Sequence, residues 1–259
     1  MLTTLLIWTY ILVLAYLYGW TGMEMLLRFF RCKAGMDSVS GPLVILAGLC
    51  FINTLAALSS LFINLGWIAQ MLLFIPGLVF GWRMWKKRTG LFPLKLPKYS
   101  WLVGMLLVLI FFTVLENSTH SPSNPDTGIY HAQAIRWMET YPAVPGLGNL
   151  HSRLAYNSNW LVLNALFSFS FLGLRSFHVL PGALVLAALA YLLQGVQQLF
   201  KGSVTLGNIF KLILIPLIFY TVGSQISSPG TDLPADILIW ITLAVWLDYI
   251  EIPKGKAGD

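Results

Sequence analysis

Apolar runs long enough to cross a hydrocarbon layer recur along this chain, and about 20 residues suffice for one crossing. They cover about 2–21, 42–63, 67–85, 100–115, 160–173, 180–199, 209–223 and 235–250. Such a chain can fold only where its apolar faces meet lipid or one another, so the expected architecture is all-α, a polytopic bundle of about seven or eight apolar helices. Composition agrees: 57% of the residues are hydrophobic and 10% charged, where a soluble domain has about a quarter charged. The first run has no basic stretch before it and no small-residue cleavage site, and reads as a retained span. Cys32 and Cys50 form neither a disulfide framework nor a metal motif.

The net charge of +6 does not point to nucleic acid, because most of the cations flank spans. Nine of the sixteen Lys and Arg fall in the two loops 22–41 and 83–99. By the positive-inside rule those loops face the cytoplasm, and the long polar segment Glu116–Asn159 faces outward. The run 160–173 is short, about 21 Å if wholly helical. It is expected to dip into the outer interface without crossing, which returns Asp232 to the side of Asp126 and puts Lys201, Lys211, Lys254 and Lys256 on the other. The resulting division is a three-span region over 1–99, a membrane module over 100–250 with its outward loop 116–159, and a polar tail over 251–259.

The outward loop carries most of the chemically usable side chains: Glu116, His120, Asp126, His131, Arg136, Glu139, His151 and Arg153. Asn124-Pro-Asp-Thr-Gly128 marks a turn. Asp126 is placed to cap a helix running through Ile129 to about Thr140, or to act as a catalytic or substrate-binding carboxylate. On that helix Tyr130, Ala134, Trp137 and Tyr141 form one stripe, and Gln133, Arg136 and Thr140 a polar neighbour, as suits a helix lying in the headgroup layer. His131 and His151 can serve as interfacial hydrogen-bonding residues or as substrate ligands. Arg136 can pair with Glu139 three residues on. Arg153 has no acidic residue near it in sequence, since none occurs between Glu139 and Asp232. It can bind a lipid phosphate or hold a substrate phosphate bidentately. Asn149 and Asn157 flank it as further substrate-binding candidates. Asp232 can cap the last span, with Pro234 in its first turn. Asp236 lies just inside that span, where an ionisable group usually faces a polar cavity.

The runs PDTGIYHAQAIRWMETYPAVPGLGNLHSRLAYNSNW and ISSPGTDLPADIL resemble a group of bacterial polytopic proteins on the margin of the GT-C membrane glycosyltransferases. The resemblance covers about 100–250 and implies a cytoplasmic-membrane protein with an outward site. It further implies a polyprenyl-phosphate-linked sugar as donor, Asp126 as the catalytic acid of the first loop and Asp232 as that of the second. A divalent cation is a cofactor that such chemistry can use, although no metal-ligand motif is visible. Membrane lipids are the expected surroundings, with a further membrane subunit or a C-terminal region beyond this chain as possible completions. The chain departs from the family pattern in that its polar loop follows the fourth apolar run and holds a single Asp where a pair is usual. Two other readings stand beside the enzyme: a transporter or flippase of a lipid-linked solute, with spans interrupted at Pro76, Pro181 or Pro216, and a non-catalytic assembly subunit.

Overall fold

The structure, a computed structural model, describes residues 1–32, 35–36, 39–87, 99–156, 158–173, 175–222 and 225–251. These form ten α-helices and, among the described residues, no strand: α1 (Leu2–Phe29), α2 (Gly41–Ser60), α3 (Trp67–Lys86), α4 (Trp101–Ser118), α5 (Ala132–Thr140), α6 (Leu147–Leu150), α7 (Asn159–Leu166), α8 (Leu180–Phe200), α9 (Leu206–Val222) and α10 (Asp232–Ile250). Six of them, α1 to α4, α8 and α10, are long and apolar enough to cross a membrane, so this is a multi-pass membrane protein. At 17 residues α9 is about 25 Å long and still fits a thin hydrocarbon layer. α7 has eight residues, about 12 Å, and cannot cross. The apolar run at 160–173 thus holds, among the described residues, no helix long enough to cross.

The outward-facing apolar surface of α3, α4 and α10 is what a lipid-exposed helix requires: Leu72, Ile75, Leu109, Phe112, Ile239 and Trp246 are all exposed. α8 is the opposite case, with both faces covered; Ala183, Ala188, Leu189, Leu192 and Leu193 have no exposed surface to speak of. It forms the axis around which α1, α2, α4, α9 and α10 pack. α1 and α2 approach backbone to backbone. A Cβ on Gly48 would stand 1.7 Å from the Ala15 carbonyl oxygen, so only glycine permits the contact. Polar ties pin the remaining helices. Tyr10 donates to Gln70 Oε1 at 2.7 Å, and Gln70 Nε2 donates to the Leu166 carbonyl, joining α1, α3 and α7. Trp8 Nε1 donates to the Val179 carbonyl at 2.7 Å. α3 and α9 remain helical through Pro76 and Pro216, and Pro181 lies in the first turn of α8.

These contacts sort the bundle into two ends. One holds the start of α1, the α2–α3 turn, the loop after α4, and the α9–α10 turn. Leu65 N–H donates to the Met138 carbonyl at 2.8 Å, and Ala143 N–H to the Ser60 carbonyl at 2.8 Å, docking the loop on the α2–α3 turn. The other end holds Arg28, Arg83 and Lys87, where Lys87 reaches Glu24 at 3.0 Å across α1 and α3. Lys33, Arg88, Lys95, Lys98, Lys254 and Lys256 lie outside the described residues.

Candidate functional site

The loop after α4 begins with an extended run whose backbone is held by the α9–α10 turn. Asn124 N–H donates to Ser228 Oγ at 3.1 Å, and Asn124 Nδ2 to Gln225 Oε1 at 3.1 Å. Ser228 is fully buried, so this tie is shielded from competing water. It brings the turn that opens α10 against the turn that carries Asp126, although the two are about a hundred residues apart in sequence.

Asp126 does not cap its helix. Its N–H donates to Asn124 Oδ1 at 2.9 Å, so Asn124 supplies the local turn bond, and the Asp126 side chain makes no capping hydrogen bond. The carboxylate turns instead to Arg153, whose Nη1 lies 2.7 Å from Asp126 Oδ1, with both side chains roughly 40% exposed. Arg153 also lies over the Tyr130 ring at 5.4 Å from its centroid, and Tyr156 packs edge-on against the same ring at 5.8 Å. His151 is exposed, and its Nδ1 accepts from the Arg153 N–H at 3.2 Å. Its role is thus to hold the turn that aims Arg153.

Between Asp126 and α5 the backbone winds one residue wider than an α-helix: Thr127–His131 is a π-helical turn, closed by Ala132 N–H donating to the Thr127 carbonyl. Such turns are rare and cluster at functional sites. This one turns Thr127, Tyr130 and His131 inward. His131 is 2% exposed, and neither ring nitrogen has a hydrogen-bond partner; Thr127 Oγ1 is likewise unpartnered. Leaving such groups unpaired costs roughly 1–3 kcal/mol each, so the arrangement is not one that stability alone would select. Burial pushes the His131 imidazole below its ordinary 6.5. Asp126 and Asp232 pull the other way, and Arg153 adds to the fall. Tyr130 is pushed up, by burial first and then by Asp126. Asp126 and Asp232 thus both act electrostatically on Tyr130 and His131.

α5 itself lies with Ala134, Ile135 and Glu139 buried and Gln133, Arg136 and Thr140 exposed, the polar stripe expected of it. The Trp137 and Tyr141 rings pack at a tilt, their centres 5.4 Å apart. Arg136 does pair with Glu139, at 3.3 Å, but unequally: the Arg side chain is 69% exposed and the Glu side chain 1%. Glu139 Oε1 accepts a second bond, 2.7 Å from Ser176 Oγ. Glu139 also acts on His178, whose imidazole burial pushes down and whose Nδ1 has no partner. Sequence reasoning treated Glu139 as a surface partner and passed over His178 because it stands just before the apolar run of α8. The available signal was the spacing of Glu139 from Ile135, four residues on the buried face.

Asp232 is the first residue of α10 and exposed; Thr231 is the N-cap and makes no side-chain capping bond. A carboxylate there still gains from the helix dipole. Asp236, one turn further in, is half-buried and has no hydrogen bond or ion pair among the described residues. Asn149 is exposed and touches neither acid. Asn157 lies outside the described residues. No group of three or more His, Cys, Asp and Glu stands together as a metal site among the described residues.

At the same end of the bundle, a cavity of about 300 Å³ is lined by Thr4, Ser118, His120, Ser176, His178 and Ser227. Further along α1 and α4, and bounded also by α8, runs an apolar groove of about 550 Å³ lined by Leu5, Trp8, Leu12, Leu107, Phe111 and Leu186.

Compared with known proteins, the chain belongs to the family described as a domain of unknown function, DUF8201, which it matches over residues 1–257. No curated protein and no solved structure is detectably similar to it.

Proposed function

We propose that this protein is a GT-C-like membrane glycosyltransferase. It acts at the bundle end that carries Asp126 and Asp232, on the outer side of a bacterial cytoplasmic membrane, and takes a sugar from a polyprenyl-phosphate donor. The observation that carries the reading is the Asp126–Arg153 pair, joined from two segments of the loop, beside the buried and unpartnered His131 and Thr127. The cavity of about 300 Å³ at this end, and the apolar groove further along α1 and α4, offer room for a polar head and an isoprenoid tail.

The chemistry needs a base for the acceptor hydroxyl and a cation for the leaving phosphate. At rest Asp126 and Arg153 hold each other. A donor phosphate is a stronger, bidentate partner for Arg153 and releases the Asp126 carboxylate. Asp126 then takes the hydroxyl proton as the acceptor oxygen bonds to the sugar's anomeric carbon. The bond from that carbon to the phosphate oxygen breaks, and the polyprenyl phosphate leaves with the electron pair, its charge held by Arg153. Asp232, at the head of α10, orients the acceptor.

A transporter would rely on helices broken at mid-membrane. The continuity of α3 and α9 through their prolines favours the enzyme.

The test is Asp126→Asn in proteoliposomes supplied with a polyprenyl-phosphate sugar. Turnover should fall by about 100-fold or more. Binding of a polyprenyl monophosphate should become several-fold tighter, because Arg153 no longer has a competing carboxylate. Unchanged turnover in the variant would end the reading, and weakened phosphate binding would end the exchange at Arg153.

A further inference from the structure

At the opposite end of the bundle, α1 and α3 diverge around a cleft of about 310 Å³. The helical repeat places Trp20, Glu24 and Arg28 on one face of α1, and Phe80, Arg83 and Lys87 on one face of α3, and all six line the cleft. Its single carboxylate, Glu24, is shared: Arg28 Nη2 lies 2.6 Å from Oε1 and Lys87 Nζ 3.0 Å from the same atom. Three cations therefore face one anion. The Arg83 side chain has no hydrogen bond or ion pair among the described residues, so its guanidinium keeps all five donors.

Cations in the last turns of α1 and α3 complement the helix dipoles and mark membrane orientation. Those effects require neither a cleft nor a carboxylate that fixes two of the cations at its rim. The charge left over is positive, the free donor is the forked guanidinium that matches a phosphate, and Trp20 and Phe80 provide an apolar wall beneath it. The position is also telling: the ends of two membrane-crossing helices lie at the depth of the phosphate layer, where basic pockets between helices take anionic headgroups.

We propose that this cleft binds the phosphate headgroup of an anionic phospholipid, with Arg83 as the direct ligand, Arg28 and Lys87 held by Glu24 as its flanking charges, and the first acyl carbons against Trp20 and Phe80. The site is independent of the chemistry proposed for the other end, and its ligand is a structural lipid of the leaflet on that side.

Purified protein in a neutral detergent, titrated with phosphatidylglycerol, phosphatidylcholine or inorganic phosphate and followed by native mass spectrometry and melting temperature, tests it. Phosphatidylglycerol should bind saturably and raise the melting temperature, and phosphatidylcholine and phosphate should do neither at the same concentrations. Arg83→Gln should weaken phosphatidylglycerol binding about tenfold, the loss of one charge-assisted contact. Because Arg83 is exposed, the variant should melt like the parent without lipid. Lys201→Gln, which removes an exposed cation from the α8–α9 connection, should bind as the parent does. Equal losses in both variants would reduce the effect to general surface charge. No loss in Arg83→Gln would remove the site, and equal stabilisation by inorganic phosphate would make it a free-anion site and overturn the lipid.

Discussion

Two trios of the same chemical types hold opposite ends of this bundle, and they are built to different ends. At one, Lys211 on α9 meets Asp248 on α10 at 2.5 Å, Tyr191 on α8 donates to the same carboxylate oxygen at 2.9 Å, and the Lys Nζ lies 4.8 Å from the Tyr ring centre. At the other, Arg153 meets Asp126 at 2.7 Å and covers the Tyr130 ring, but Tyr130 makes no hydrogen bond to the carboxylate. The first trio joins three long helices, and its Lys side chain is 6% exposed; the second joins a short turn to a loop, with both charges about 40% exposed. A buried charge whose partner is removed is stranded, whereas an exposed one is rehydrated. The same pair of charges is therefore a rivet in one place and an exchangeable latch in the other.

The contrast can be broken most directly by stranding each carboxylate. Lys211→Met should destabilise the protein by about 2–3 kcal/mol, below the full penalty for a buried pair because Asp248 is partly exposed. Arg153→Met should cost less than about 1 kcal/mol. Denaturation in detergent, followed by circular dichroism, measures both, and equal losses would dissolve the distinction. The space around each trio differs as well. A Cβ on Gly195 would meet Lys211 Cδ at 2.6 Å and Cβ at 2.8 Å, whereas one on Gly128, in the π-turn, would meet nothing within 4 Å. Gly195→Val should therefore cost about 1–3 kcal/mol through overpacking. Gly128→Ala should stay within about 0.5 kcal/mol, read from the same melts.

A latch should also respond to its ligand. Arg153→Gln should weaken polyprenyl-monophosphate binding about tenfold, while Lys211→Gln, in whatever fraction folds, leaves the affinity per folded molecule unchanged. Calorimetric titration distinguishes the two. The smallest effect concerns pH. The His131 imidazole is held below its ordinary 6.5 by burial, against the pull of Asp126 and Asp232. Below 6.5 the unfolded chain takes up a proton that the folded one resists, so stability should decline as pH falls from about 6.5 toward the lowered value. His178 acts in the same sense. Replacing His131 with Gln should flatten that decline, and an unaltered pH profile of melting temperature would show that the imidazole is hydrated after all.

Much of the bundle was legible because membrane helices announce themselves by length. The runs at 180–199 and 235–250 became helices at 180–200 and 232–250, and the short apolar run at 160–173 holds no described helix long enough to cross. The site was legible as residue types and not as partnerships. Asp126, His131 and Arg153 stood out in a polar loop, yet a helix cap stood beside the catalytic or binding reading of Asp126 because a carboxylate before an apolar-periodic stretch usually is one. Its true partner lies 27 residues on, across a chain reversal that no local rule anticipates. Glu139 erred in the other direction. Its i,i+3 relation to Arg136 is real, and it hid the second bond to Ser176, which depends on how the loop docks against the start of α8.

The π-turn at Thr127–His131 has one more consequence. An α-helix advances about 100° per residue, so a turn that holds one residue extra sets everything before it out of phase with everything after it. Asp126 precedes the turn, and the face of α5 that docks Glu139 and Ile135 follows it. The bearing of the carboxylate toward Arg153 is in that sense an angular offset written into the winding of the backbone. Deleting Gly128 or Ile129 would leave every side chain of the site in the sequence and swing the acid about a quarter-turn away from its partner.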